Sequence, residues 1–280
     1  MEQHFNTPSE VIDTNMKAGE GKAHLPLGKM ILLGIMSGAF FALGGATSST
    51  AAHAIDNVGL ARFVAGIIFP VGLMIIVFVG GELFTGNCLI VMDVVGKKVT
   101  WFECIRNLIV VYFSNLIGAL IIDTLIYFSG NLDYTGGLLG AYAIKVAVGK
   151  VGISPLKGIT SGILCNILVC IAILMAAAAT DIVGKIWAIF FPIMAFVVGG
   201  FEHCVANMYY IPAGIFAAGN PAYVQKAQEL YGLGAEKLTG LNWGSFVTVN
   251  LLPVTIGNII DGAVMVGGVC FYLHGKTCWI

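Results

Sequence analysis

Of the five histidines in the chain, only His203 falls inside a long apolar run, whereas His4, His24, His53 and His274 lie in polar tails or loops. It belongs to the insertion Gly199-Gly200-Phe201-Glu202-His203-Cys204-Val205-Ala206-Asn207. A related insertion, Gly80-Gly81-Glu82-Leu83-Phe84-Thr85-Gly86-Asn87, interrupts a second run. Each holds a glycine pair, then a Glu, four intervening residues and an Asn. A carboxylate at bilayer depth costs about 3 kcal/mol, and glycine pairs loosen a helix that lipid keeps intact, so such breaks are tolerated where they line a cavity inside protein. The breaks are candidate permeation sites.

An imidazole in a helix break offers a donor when neutral and a charge when protonated, which suits a small anion; the competing role is a buried structural histidine. Metal ligation lacks a second ligand at workable spacing, because only the adjacent Glu202 is near. Glu82 and Glu202 are either a pair of acids or, as expected here, carboxylates bonded to their own broken backbone, whose freed N–H groups need acceptors. Asn87 and Asn207 either hold the breaks closed or touch the solute. Leu83, Phe84 and Thr85 stand opposite Phe201 to Val205, so an apolar ring surrounds one hydroxyl and one imidazole. That pattern predicts narrow, dry constrictions on either side of a small polar chamber.

The elements that must position these groups are membrane helices. The chain has 280 residues, 58% of them hydrophobic and 10% charged, with a mean hydropathy of +0.91. That is too apolar for a soluble domain and too long for one span. Apolar stretches near 30–50, 62–92, 106–129, 156–180, 186–218 and 244–273 predict six spans. Residues 1–26 read as a polar tail with no signal-peptide core; Thr7-Pro8-Ser9-Glu10 is a capping box, and Val11, Ile12 and Met16 form one apolar stripe of a short interfacial helix. With the N-terminus inside, Lys17, Lys22, Lys29, Lys97, Lys98, Arg106, Lys185 and Lys276 face the cytoplasm, against Arg62, Lys145, Lys150, Lys157, Lys226 and Lys237 outside. The bias is weak. A cluster of outer lysines before the fourth span suggests a purpose other than topology. A formal net charge of −1 points away from nucleic acid. The seven cysteines contain no C-x-x-C and read as small buried hydrophobes, without disulfides, metal or cofactor.

The halves match in order. Gly34-Ile35-Met36-Ser37-Gly38 pairs with Gly158-Ile159-Thr160-Ser161-Gly162, the two breaks pair, and Asn107-Leu108 with Asn115 pairs with Asn250-Leu251 with Asn258. A three-span unit copied once must insert upside down. The expectation is therefore an all-α channel domain over 27–280, built of inverted repeats at about 27–130 and 155–275, with broken second and fifth helices meeting at the midplane. The Gly-x-x-x-Gly spacing of the first and fourth spans predicts either a tight crossing beside the pore or lipid-facing small residues. Asn220-Pro221-Ala222 lies in a polar loop without a partner in the first half, so it reads as a turn or helix start rather than an aquaporin signature.

Glu82-Leu83-Phe84-Thr85, Gly162-Ile163-Leu164-Cys165-Asn166, Phe201 to Met208 and Asn250 to Asn258, with the N-terminal Thr7-Pro8-Ser9-Glu10, resemble the formate–nitrite transporter family, closest to its hydrosulfide channel branch. The resemblance covers nearly the whole chain. It implies an aquaporin-like protomer in a homopentamer, one pore per protomer, in the inner membrane of a bacterium with both termini cytoplasmic. It also implies that His203 is the central pore histidine, with Thr85 and Asn166 as hydrogen-bonding neighbours and Lys150 as the nearby charge that draws anions in. By the same resemblance Phe69, Leu73, Leu83, Phe84, Val169 and Phe196 form the constrictions. Asp261 departs from the family, which often has Gly there, and is expected to pair with a basic or polar neighbour.

These readings favour a passive channel for hydrosulfide, with formate and nitrite also permeant, or a proton-coupled symporter of formate and nitrite. A water or glycerol pore is disfavoured by the unpartnered Asn-Pro-Ala and by Lys150. A membrane enzyme or receptor is disfavoured by the lack of nucleophile–base pairs and cofactor motifs.

Overall fold

A computed structural model describes residues 5–275; His4, Lys276 and Cys278 lie outside them. Among the described residues the architecture is helical, with one isolated bridge between Phe5 and Ala179. In chain order the helices are α1 (Pro8–Ala23), α2 (Leu27–Ala52), α3 (Val58–Val79), α4 (Phe84–Val95), α5 (Trp101–Phe128), α6 (Tyr134–Val151) and α7 (Pro155–Ala178). They continue with α8 (Ile182–Gly199), α9 (Cys204–Ala218), α10 (Pro221–Tyr231), α11 (Ala235–Thr239) and α12 (Trp243–His274). Helices α2, α3, α5, α7, α8 and α12 are long and apolar enough to cross a membrane. Phe102, Ile109, Phe113, Phe128, Leu252 and Val264 are among the large apolar side chains they expose, as lipid-facing surfaces do. The chain is a multi-pass membrane protein built of two inverted repeats.

The second and fifth spans are broken where the glycine pairs fall. Helix α3 bends at Pro70 and ends at Gly80, whose φ of 90° suits only a residue without Cβ. Helix α8 also ends at a glycine of positive φ, Gly200, which takes the left-handed conformation at φ 70° and ψ 29°. After three residues outside any helix, 81–83 and 201–203, the short helices α4 and α9 begin. Their N-caps, Leu83 at φ −107°, ψ 123° and His203 at φ −117°, ψ 119°, share one backbone conformation.

Glycines set the tight crossings. A Cβ at Gly38 would strike the Asn115 backbone, and one at Gly118 the Ile35 carbonyl; in the second copy Gly162 meets Val254 and Gly257 meets Ile159 in the same way. Thus α2 packs on α5 and α7 on α12 within each repeat. The tight partners of the first and fourth spans are the third and sixth, not each other.

Two helices correct the sequence reading. The N-terminal helix has its capping box, with the Thr7 amide and hydroxyl both donating to Glu10 at 2.7 Å, but its Val11, Ile12 and Met16 are buried against protein. Helix α6, unforeseen in the stretch 134–151, lies along α9, where Gly214 admits Ala143 and Ala147. Each repeat thus begins with a docked helix that ends in a lysine, Lys22 on α1 and Lys150 on α6. The motif Asn220-Pro221-Ala222 opens α10, and Asn220 accepts the Ala222 amide at 3.0 Å.

Candidate permeation site

The breaks are held by a network that appears twice. In the second copy Asn207 donates to Glu202 at 2.6 Å and to Asn250 at 2.7 Å, Asn250 donates to the Lys150 carbonyl at 2.9 Å, and Lys150 Nζ lies 3.1 Å from both Glu202 oxygens. In the first, Asn87 donates to Glu82 at 2.6 Å and to Asn107 at 2.8 Å. Asn107 donates to the Lys22 carbonyl at 3.0 Å, and Lys22 Nζ lies 3.5 Å from Glu82. All four acidic and amide residues of the breaks are buried. A carboxylate in an apolar interior is tolerable only when paired and hydrogen-bonded, and both glutamates are.

That arrangement corrects the expectation that the carboxylates cap their own backbone. The amides are instead capped from the last helix of each repeat: Asn115 accepts from Phe84 N at 2.9 Å and Asn258 from Cys204 N at 3.0 Å. Asn115 also donates to the Gly34 and Glu82 carbonyls, and Asn258 to those of Gly162 and Glu202. The paired asparagines found in the sequence as marks of duplication are therefore what fixes the breaks.

At the centre the symmetry fails in side chains alone. Leu83 and His203 occupy equivalent positions, and the imidazole Nε2 lies 3.1 Å from Thr85 Oγ1 of the other copy. His203 Nδ1 accepts the Ala206 amide at 3.3 Å, so the neutral ring carries its proton on Nε2 and donates it to Thr85. The Thr85 hydroxyl makes no other hydrogen bond among the described residues, which leaves its own proton to donate. The imidazole is 1% exposed and lies between two rings, Phe41 at 4.6 Å and Phe196 at 5.8 Å. Phe69 meets both phenylalanines edge-on at 5.0 and 5.4 Å. Nothing in the residue spacing marked Phe41 or Lys22; the first lies in an unbroken span and the second in what reads as a tail.

A cavity of about 730 Å³ opens on the face away from α1 and has His203, Phe69 and Phe196 at its floor. Leu73, Leu83, Phe84 and Val169 are buried in the core and do not line this cavity; Phe84 packs edge-on to Tyr112 at 4.8 Å. Lys150 lines it, but with Glu202 beside it and Tyr210 at 5.3 Å beneath it, its charge is matched rather than free. Asn166 does not bond His203. Its amide donates to the Asn258 carbonyl at 2.7 Å and reaches the Thr85 carbonyl at 3.5 Å, because it sits where α4 and α12 meet. Its oxygen has no partner among the described residues. Neither has the buried Asp261 carboxylate, so the expected pairing is absent there; Asp261 lies in a π-helical stretch of α12, Ile260–Gly268, and nothing in the structure explains it. The cysteines of the described residues are free, five buried and Cys270 half-buried.

This architecture has known relatives. A family model described as formate/nitrite transporter matches residues 9–272. A probable formate transporter of Methanothermobacter thermautotrophicus is 35% identical, covering 99% of this chain and 100% of its own length. The formate channel FocA of Haemophilus influenzae is 36% identical over 93% of this chain and 92% of its own. Among solved structures, a pentameric formate channel with formate bound superposes with a TM-score of 0.79 at 33% identity, covering 89% of this chain and 98% of that one. With a family model matched over 9–272 and relatives more than 30% identical along nearly their whole length, the chain belongs to the formate/nitrite transporter family.

Proposed function

We propose that this protein is a channel for small monovalent anions of weak acids, with formate as its principal permeant and nitrite and hydrosulfide as further ones. The observation that carries the reading is His203, set between aromatic rings at the floor of an open cavity and paired with the buried Thr85 hydroxyl behind it. Two short helices direct their N-termini at this point, and a positive helix end favours an anion. The anion accepts the free proton of the Thr85 hydroxyl. A proton delivered by hydronium in the cavity enters His203 at Nδ1, leaving a water molecule behind and displacing the long 3.3 Å bond from the Ala206 amide. The imidazolium passes its Nε2 proton to Thr85 Oγ1 as Thr85 gives its own to the anion, and the neutral acid crosses the apolar constriction. Desolvation cost explains the need: a bare charge in such a constriction is far dearer than a neutral molecule.

We further place the protein in a cell membrane as a homopentamer, with the α1 face cytoplasmic. The formate relatives support formate, and the pentameric relative supports the assembly. Hydrosulfide rests on sequence resemblance. Uptake into proteoliposomes by stopped flow, with formate, nitrite, sulfide and glycerol in parallel, tests the proposal. Saturable formate uptake that competes with nitrite and sulfide is expected; glycerol uptake without formate uptake would overturn it.

A further inference from the structure

The cavity leading to His203 is far larger than its proposed permeants require. At about 730 Å³ it falls in the range of sites that enclose drug-sized ligands, roughly 300–1,000 Å³, whereas formate has three heavy atoms. Its floor is closed by Phe69, Phe196 and His203, all at most 3% exposed. A molecule of eight or nine heavy atoms therefore has room to enter, and the closed floor would have to open about three times as far in volume for it as for formate, by heavy-atom count.

The charges of this cavity are unevenly matched. Lys150 is paired with Glu202, and Asp56 is the one carboxylate among the lining residues. Arg62 and Lys145 remain, and neither forms a carboxylate ion pair among the described residues. The exposed Arg62 guanidinium donates one long bond, 3.3 Å, to the Val198 carbonyl at the end of α8, and its other N–H groups have no hydrogen-bond partner among the described residues. Lys145 Nζ stands 4.4 Å from the Tyr231 ring and 5.8 Å from that of Tyr142. His53, also on the wall, is committed on both nitrogens, to the Thr50 carbonyl at 2.7 Å and the Thr135 hydroxyl at 2.9 Å. The wall thus presents a forked donor and an ammonium beside aromatic faces. A planar guanidinium matches a carboxylate with two parallel bonds, and tyrosine faces accept a flat ring.

We propose that this cavity is a docking site for flat aromatic monocarboxylates, which bind through Arg62 and Lys145 with the ring among Tyr142, Tyr231 and Phe201, and which plug the pore because they cannot pass its floor. The site rests on the anion-channel reading for its consequence, blockage, but not for its binding. Docking holds the occupant above His203 and closes the protomer to smaller anions from that side.

Calorimetric titration of the detergent-solubilised protein with benzoate tests the docking without any transport. One benzoate per protomer is expected, with no binding of the uncharged benzamide. Affinity should fall at least tenfold in R62Q and in K145Q, fall by less in R62K, which keeps the charge but loses the planar fork, and survive in K145R; the two charge-keeping variants serve if the glutamine variants fold poorly. Formate uptake by proteoliposomes should then be inhibited by benzoate in proportion to occupancy. Absence of benzoate binding, equal binding of benzamide, or unchanged affinity in the R62Q/K145Q double variant would overturn the site. A protein that binds benzoate yet passes no formate would instead overturn the channel reading and leave the site standing.

Discussion

Removing the Lys150 ammonium as Lys150→Met is expected to destabilise the protein strongly, because it leaves the Glu202 carboxylate without its cation. The side chains are 17% and 11% exposed, and Nζ contacts both oxygens at 3.1 Å. Losing one partner of a buried pair costs about 3–5 kcal/mol. Here Asn207 and Asn250 still donate to Glu202 at 2.6 and 3.2 Å, so the lower end, about 3 kcal/mol, applies. At 1.4 kcal/mol per factor of ten that is on the order of a hundredfold in the unfolding equilibrium. A double-mutant cycle with Glu202→Gln should return a coupling of about 2 kcal/mol. The matching cycle of Lys22→Met with Glu82→Gln should return about 1 kcal/mol or less, since Lys22 is 33% exposed and its ammonium stands 3.5 Å from the carboxylate. Reversible unfolding by SDS in mixed micelles, followed by tryptophan fluorescence, measures both cycles. Equal couplings would refute the assignment of the stronger pair to the second break. A Lys150→Met protein of unchanged stability with reduced formate uptake would show instead that Lys150 acts as a free attracting charge.

Other expectations follow from neighbouring contacts. Thr85→Val removes the hydroxyl that accepts from His203 and donates to the anion; a hydrogen bond to a charged group is worth about 1.5–3 kcal/mol, so formate flux should drop about ten- to hundredfold, while Thr85→Ser retains most of it. His203→Ala should abolish the pH dependence of flux in liposomes, and an unchanged profile would rule out the proton relay. Asn258→Leu strands the Cys204 amide and the Gly162 carbonyl, and a loss of about 2–3 kcal/mol in the same unfolding assay is expected, matched by Asn115→Leu in the other repeat. Gly257→Ala drives a methyl into the Ile159 carbonyl and should cost about 2 kcal/mol, whereas Gly149→Ala, with open space at its Cβ, should cost little.

Much of this molecule was legible in its residues. Six spans follow from hydropathy, because a bilayer core demands about twenty apolar residues and admits no unpaired backbone. The inverted repeat follows from the ordered matches, since a unit of odd span number reverses when copied. The breaks follow from the glycine pairs, since Gly80 and Gly200 both take a positive φ that glycine adopts at least cost. His203 could be singled out because a titratable side chain inside a span is costly and so rarely idle.

What the tertiary structure alone decided is who holds whom. Sequence order placed Glu82 and Glu202 beside broken backbone, yet the backbone is capped by Asn115 and Asn258 from helices far along the chain, leaving the carboxylates to lysines. Lys22 and Lys150 look unrelated in sequence, one in a tail and one before a span, and become symmetry mates only when α1 and α6 dock. Thr85 meets His203 across 118 positions because two half-helices converge from opposite repeats. The sequence by itself determined the periodicities, the breaks and the residue types at them, which are local consequences of solvation and backbone sterics. The pairings between them depend on the packing of distant helices, and so does the aromatic enclosure that Phe41 and Phe196 give the central imidazole.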